Sequence, residues 1–163
     1  MNDKYSVLVK VIDVLSKDDI WWVLGGRTGL IIRSVNIEDD NEIDICTTQE
    51  NLEKIESILK TYCIKSVFLD ESPFFTSYVA EFNIDGIKVD VMGDPKKKMN
   101  DGTWLSLPAE NIIKYKFKNN EINVFTLKSE FEYYTNTSVE KSKRKFIAEE
   151  IQKVLVQKSP PNP

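Results

Sequence analysis

Two alternating segments, Tyr78-Val79-Ala80-Glu81-Phe82-Asn83-Ile84 and Ile87-Lys88-Val89-Asp90-Val91-Met92, are separated only by Asp85-Gly86. An Asp-Gly pair between alternating runs is among the strongest short-range hairpin signals, because a tight primed turn needs positive φ at both central positions. Counting outward from such a turn pairs Ile84 with Ile87, Asn83 with Lys88, Phe82 with Val89 and Glu81 with Asp90. One face then carries Ala80, Phe82, Val89 and Val91, which is core. The other carries Glu81, Asn83, Lys88 and Asp90. Like charges directly opposite one another are unfavourable in a sheet, so Glu81 facing Asp90 calls for a bound cation, for Lys88, or for screening by water.

The rest of the chain supplies the partners such a hairpin needs. Val7, Val11, Ile12 and Leu15 have the spacing of a helix's buried stripe over 4–17. Ile20 to Leu24 reads as a buried strand ending at Gly25-Gly26, and Leu30, Ile31 and Ile32 suggest a short helix just after it. A polar, acidic loop spans 36–41, followed by a strand over Glu42–Cys46. Thr47-Thr48-Gln49-Glu50 matches a capping box, and Leu52, Ile55, Ile58 and Leu59 give the helix it starts an apolar face through about Tyr62. Ile64 to Leu69 predicts another strand. Gly93-Asp94-Pro95 is expected to break the strand that holds Asp90, and Asp101-Gly102-Thr103 marks a turn. Ile122 to Phe125 reads as a short edge strand and Leu127, Phe131 and Tyr134 as a short helix. Thr137-Ser138-Val139-Glu140 fits a second capping box, ahead of a last helix with Phe146, Ile147, Ile151, Val154 and Leu155 as its stripe. The expected organisation is one α+β unit over 1–158, with 159–163 a tail that has no packing reason to be ordered.

Composition narrows the functional classes. The chain has 163 residues, 41% of them hydrophobic and 29% charged, which suits a globular core of ordinary size. No apolar run approaches the roughly 20 residues needed to span a bilayer, and Lys10, Asp13, Lys17, Asp18 and Asp19 interrupt any signal-peptide core. A cytoplasmic, membrane-free protein is the expectation. The net charge is −4, and the basic clusters Lys96-Lys97-Lys98 and Lys141, Lys143, Arg144, Lys145 read as solvated surface rather than a duplex-binding track. There is no histidine, so the usual zinc sites and the commonest general base are both missing. Cys46 and Cys63 form no disulfide framework. Cys46 shares strand parity with Glu42 and Asp44, either at the edge of a cleft or as a small buried hydrophobe.

Catalysis in such a chain must run on carboxylates, metal ions or lysine. In Glu42-Ile43-Asp44-Ile45 the two acids project to one face about 6.6 Å apart along the strand, while the isoleucines turn to the core. Asp90 adds a third acid within an apolar strand. Carboxylates held this way suit hard cations such as Mg²⁺ bound against phosphate oxygens. Gly25-Gly26, between strand and helix, is a tight turn or a close-approach surface for phosphate.

This conjunction resembles the nucleotidyltransferase superfamily with a DNA-polymerase-beta-like palm. It is most similar to the small members: minimal nucleotidyltransferases and the lincosamide- and aminoglycoside-modifying enzymes. The resemblance rests on Trp21-Trp22-Val23-Leu24-Gly25-Gly26, Glu42-Ile43-Asp44-Ile45 and Val89-Asp90-Val91. The stretch from Asp85 to Asp94, with Asp101-Gly102-Thr103-Trp104 after it, resembles a prokaryotic subgroup of the same superfamily. Residues 20–104 carry the likeness well and the remainder loosely. It implies a nucleotidyltransferase fold: a central mixed sheet with a β-hairpin, flanked by helices, with further helices at the C-terminus. It implies that Gly25, Gly26, Arg27 and Thr28 contact the nucleotide. Glu42, Asp44 and Asp90 would be the catalytic residues and would hold Mg²⁺ or Mn²⁺, with Asp90 also a candidate base. The implied reaction transfers a nucleoside monophosphate from a nucleoside triphosphate to a hydroxyl on a small molecule or protein.

Three positions depart from the family pattern. Arg27 stands in place of Ser or Thr, either gripping phosphate or blocking the pocket. Glu42 replaces the more frequent Asp. Arg33-Ser34 replaces a Gly-Arg pair. The alternative these departures leave open is a nucleotidyltransferase-like binding or regulatory module, antitoxin-like, acting through a protein partner. Arg33, Lys88 and Lys128 read either as triphosphate contacts or as ordinary surface charge, and Trp21, Trp22 and Trp104 either as stacking platforms for a base or as core.

Overall fold

The computed structural model describes residues 3–107, 110–137 and 141–159. The hairpin organises it. Strands β4 (Phe75–Ile84) and β5 (Ile87–Lys98) pair antiparallel with Ile84 opposite Ile87, Asn83 opposite Lys88, Phe82 opposite Val89 and Glu81 opposite Asp90, the register counted from the turn. Asp85 and Gly86 have φ of 54° and 88°, the positive values of a primed turn. Ala80, Phe82, Val89 and Val91 are fully buried.

Around this hairpin the chain builds a mixed eight-stranded sheet. Its further strands are β1 (Val23–Leu24), β2 (Glu42–Thr47), β3 (Cys63–Glu71), β6 (Trp104–Ser106), β7 (Ile112–Phe117) and β8 (Asn120–Phe125). The order is β3-β4-β5-β2-β1-β8-β7, with β6 on the far end of β5. The β2–β5 and β1–β8 pairs are parallel; the others are antiparallel. The α+β class and the mixed sheet with its hairpin agree with the sequence reading.

Helices α1 (Lys4–Ser16) and α3 (Gln49–Ile58) close one face of the sheet. Val7, Leu8, Val11, Ile12 and Leu15 from α1, with Leu52 and Ile55 from α3, pack there on Ile43, Ile45, Val89 and Val91. A second cluster joins α2 (Gly26–Ile31) to α4 (Leu127–Asn136) and α5 (Lys141–Lys158) through Leu30, Val35, Leu127, Ile147, Ile151 and Val154. On the sheet's other face Val23, Cys46 and Phe125 form a small cluster, and Cys46 and Phe125 line a cavity there. Among the described residues no helix is long and apolar enough to cross a membrane.

Several local expectations are corrected. The strand ending at Gly25 is only Val23–Leu24, with Ile20 buried ahead of it. Thr48, not Thr47, caps α3 by accepting from the Asn51 N–H, because Thr47 closes β2 and donates its hydroxyl to the Trp21 carbonyl at 2.6 Å. That helix ends at Ile58, and a 3₁₀ turn covers Lys60–Tyr62. Gly93-Asp94-Pro95 does not break β5. Asp94 adopts φ 48°, the pairing with β4 shifts register at that level, and the Pro95 carbonyl accepts from Leu107. A bulge beyond the end of β2 tolerates a residue without an N–H. Residues 122–125 belong to an interior strand, since β7 covers β8 on its outer side. Phe146 is 50% exposed, so the stripe of α5 is Ile147, Ile151 and Val154, with Leu155 partly buried against them. The capping box expected at 137–140 falls, from Ser138 on, outside the described residues, as does the tail from Pro160.

Candidate active site

Parallel pairing of β2 with β5 brings the acids together. Asp44 lies beside Asp90 and Glu42 beside Lys88 across the ladder. Ile43, Ile45, Val89 and Val91 are fully buried on the helix-covered face, so the alternation of each strand turns all three acids to the other face. Their carboxylates offer one oxygen each within 4.8 Å of the others. Lys88 reaches into this group, with its Nζ 2.7 Å from Asp90 Oδ2 and 4.0 Å from Glu42. That lysine answers the charge problem posed by Glu81 opposite Asp90.

The group has the chemistry to hold a cation. Asp90 Oδ1 is buried without a hydrogen-bond partner, which is costly unless something meets it. All donors are hard carboxylate oxygens, the set that suits Mg²⁺ or Mn²⁺. Burial pushes the Asp44 carboxyl up to about 6, with Asp40, Asp90 and Glu42 adding to the shift and Lys97 opposing it. A bound divalent ion would reverse that balance.

Gly25 and Gly26 sit against these acids. The Gly25 N–H donates to the Asp44 carbonyl at 2.9 Å, so it is already used. Gly26 has φ 58° and faces the Asp44 carboxylate directly. Thr28 is buried and its hydroxyl donates to the Glu42 carbonyl at 2.6 Å, so its side chain braces the acidic strand. Arg27 points to the acidic loop before β2, donating to the Glu38 carbonyl at 3.1 Å with its Nε 3.7 Å from Asp40. Arg33 is a correction: it is buried at 3% exposure. Its Nε donates to the Gly29 carbonyl at 2.6 Å, its Nη1 to the Phe125 carbonyl, and its Nη2 lies 3.7 Å from Glu130. Trp22 is core, whereas Trp21 and Trp104 are 41% and 45% exposed.

A cavity of about 410 Å³ opens beside Gly25, Gly26 and Asp44, and Cys46, Met92 and Phe125 line its sheet side. Cys46 meets both of its sequence readings, being buried and lining the cavity; burial pushes its thiol up to about 12. Helix α4 forms the opposite wall with Glu130, Tyr133 and Tyr134. Lys97 lines the cavity too, its Nζ 4.2 Å from the Tyr133 ring centroid. Sequence reasoning passed over Glu130 and set Lys97 aside as surface. The parity of Lys97 beyond the Asp94 bulge was the missing signal.

Residues 7–149 match the family model for aminoglycoside-2″-adenylyltransferase. The chain belongs to that family. Among solved structures it is similar to a Thermotoga maritima protein provisionally assigned as a nucleotidyltransferase. They share 30% identity and a TM-score of 0.72, over 94% of this chain and 93% of that one. It also shares its fold with the lincosamide antibiotic adenylyltransferase LnuA in its lincomycin-bound form, at 12% identity and TM-score 0.61, covering 91% and 96%. The same holds for ANT(2″)-Ia in complex with adenylyl-2″-tobramycin, at 10% identity and TM-score 0.53, covering 93% and 94%. No curated protein matches the chain. The superfamily resemblance read from the sequence is therefore established, and this is a chain of a nucleotidyltransferase family.

Proposed function

We propose that this protein is a metal-dependent adenylyltransferase: it moves the nucleoside monophosphate of ATP to a hydroxyl of a small molecule. The observation that carries this is the convergence of Glu42, Asp44 and Asp90 within 4.8 Å beside Gly26. These three residues would hold one or two Mg²⁺ or Mn²⁺ ions, which supply charge neutralisation on the phosphate oxygens. The acceptor oxygen attacks the α-phosphorus, the bond to the bridging oxygen breaks, and pyrophosphate leaves. Asp90, with Oδ1 unmet, would take the hydroxyl proton or complete the cation's ligands. Gly26, lacking a Cβ, lets phosphate approach the backbone next to Asp44. The cavity beside Gly26 and Asp44, at about 410 Å³, is of the size that suits a small acceptor. An antitoxin-like module acting through a protein partner has no comparable feature in its favour.

The test is calorimetric titration of the protein with a non-hydrolysable ATP analogue, with and without Mg²⁺. Binding that requires Mg²⁺ and disappears in Asp44→Ala is expected. Absence of Mg²⁺-dependent binding at millimolar analogue would reject the reading.

A further inference from the structure

Lys97 is the one cation among the described residues that line the cavity beside Gly26 and Asp44. Its backbone is held on both sides, opposite Phe75 in β4 and Leu105 in β6. The ammonium lies over two rings that line the same cavity, 4.2 Å from the centroid of Tyr133 and 5.7 Å from that of Phe75. A ring face attracts a cation but offers it no oxygen, and an ammonium carries three donors. Among the described residues no hydrogen bond or salt bridge reaches it. Its charge acts into the cavity. It draws down the carboxyls of Asp44 and Glu130 and the thiol of Cys46, against the burial that raises all three.

We propose that Lys97 determines the acceptor class, receiving a single carboxylate of a hydroxyl compound whose remaining body is apolar. This rests on reading the cavity as the acceptor site. The acids that line it among the described residues form no counterpart for a cationic acceptor. Asp44 belongs to the triad, where a divalent ion would take it. Glu130 is buried and faces Arg33 at 3.7 Å. Glu110 and Glu132 are exposed, so water screens them. Between these groups the wall is apolar: Met92, Leu105, Leu107 and Phe125. An ammonium-rich ligand would meet Lys97 and no unengaged buried acid. A neutral ligand would leave the lysine's donors to water. One carboxylate on an apolar body answers both the lysine and the wall.

The test needs no nucleotide. The full chain with Mg²⁺ at pH 8 is titrated by calorimetry with cyclohexanecarboxylate, cyclohexylmethanol and cyclohexylmethylamine, which share one apolar ring. The carboxylate should bind about tenfold tighter than the alcohol, the advantage of one charge-assisted hydrogen bond, and tighter than the amine. In Lys97→Met, whose folding is checked by thermal melting, carboxylate and alcohol should bind about equally, and Lys97→Arg should keep the preference. The wild-type comparison stands even where a variant does not fold. Equal binding of carboxylate and alcohol, tightest binding by the amine, no carboxylate binding at millimolar concentration, or a preference that survives Lys97→Met would overturn the proposal. Any of these with Mg²⁺-dependent ATP-analogue binding intact rejects the role of Lys97 and leaves the nucleotidyl-transfer reading standing.

Discussion

Gly26 and Asp44 are fitted against each other so closely that a Cβ at position 26 would stand 2.8 Å from Asp44 Cγ, and nearer still to Oδ2. The glycine leads into α2 and the aspartate lies in β2, so turn and acidic strand cannot vary independently. A side chain at 26 would displace the carboxylate. It would also strain a backbone at φ 58°, at about 1–2 kcal/mol for an L-residue. Gly26→Ala is expected to weaken Mg²⁺-dependent ATP-analogue binding at least tenfold while the chain still folds. Calorimetry beside a thermal melt checks both, and unchanged binding in a folded variant would show that Asp44 need not hold its position.

Asp44 also predicts a pH dependence. Its folded-state value of about 6 lies above the ordinary 3.8 because burial and neighbouring acids disfavour the charged form. The stability this contributes is complete below about pH 4 and is lost as pH rises through about 6. In the metal-free protein at pH 8 the ionised Asp44 is therefore a burden, on the order of 1–3 kcal/mol. Asp44→Asn should raise the unfolding free energy at pH 8 by that much, and the gain should vanish near pH 4. Glu130, raised to about 7 by burial, acts in the same direction, so the variant retains part of the pH dependence. Denaturant unfolding at the two pH values decides it: a variant less stable than wild type at pH 8 contradicts the assignment.

Lys88 holds the triad's charge in check, with its ammonium on Asp90 and near Glu42. An incoming divalent cation must displace it or share those oxygens. Lys88→Met is expected to tighten Mn²⁺ binding severalfold, roughly the worth of one exposed like-charge repulsion. It should also lower metal-free stability at neutral pH, since Glu42, Asp44 and Asp90 then face one another unrelieved. Electron paramagnetic resonance titration with Mn²⁺ measures the first effect. Weaker Mn²⁺ binding would mean that the lysine organises the acids instead of competing for them.

The parts of this fold that alternate in the sequence were legible before the structure. The register of the hairpin between Tyr78 and Gly93 follows from Asp85-Gly86, and the common face of Glu42 and Asp44 follows from the buried isoleucines between and after them. The period of a strand is two, so one fixed turn or one buried residue sets every neighbour. Strand β7 was missed although Tyr115-Lys116-Phe117 alternates ahead of a turn. Most of its residues are partly or fully exposed, so it lacks the apolar run that marks a covered strand. The Asp94 bulge was read as a terminus because Gly-Asp-Pro commonly ends strands, and that error hid Lys97. Glu130 was invisible for another reason. One acid in an amphipathic helix looks solvated unless its tertiary partner is known, and that partner, Arg33, is separated from it by most of the chain.

Arg33 supplies the last prediction. The guanidinium ties the Gly29 carbonyl of α2 to the Phe125 carbonyl of β8, and it is the cation paired with buried Glu130. Removing it leaves two carbonyls and a carboxylate unmet in a dry setting. Loss of one partner from a buried pair costs about 3–5 kcal/mol, so Arg33→Ala should lower stability by that amount. Replacing both charges removes the orphaned carboxylate along with its partner. Arg33→Met combined with Glu130→Leu should therefore recover at least half of the loss, because apolar side chains of similar volume fill the same space without desolvation. Urea unfolding of the single and double variants gives the coupling directly. A double variant no more stable than Arg33→Ala would mean that the backbone ties to Gly29 and Phe125, not the charge on Glu130, are what Arg33 contributes.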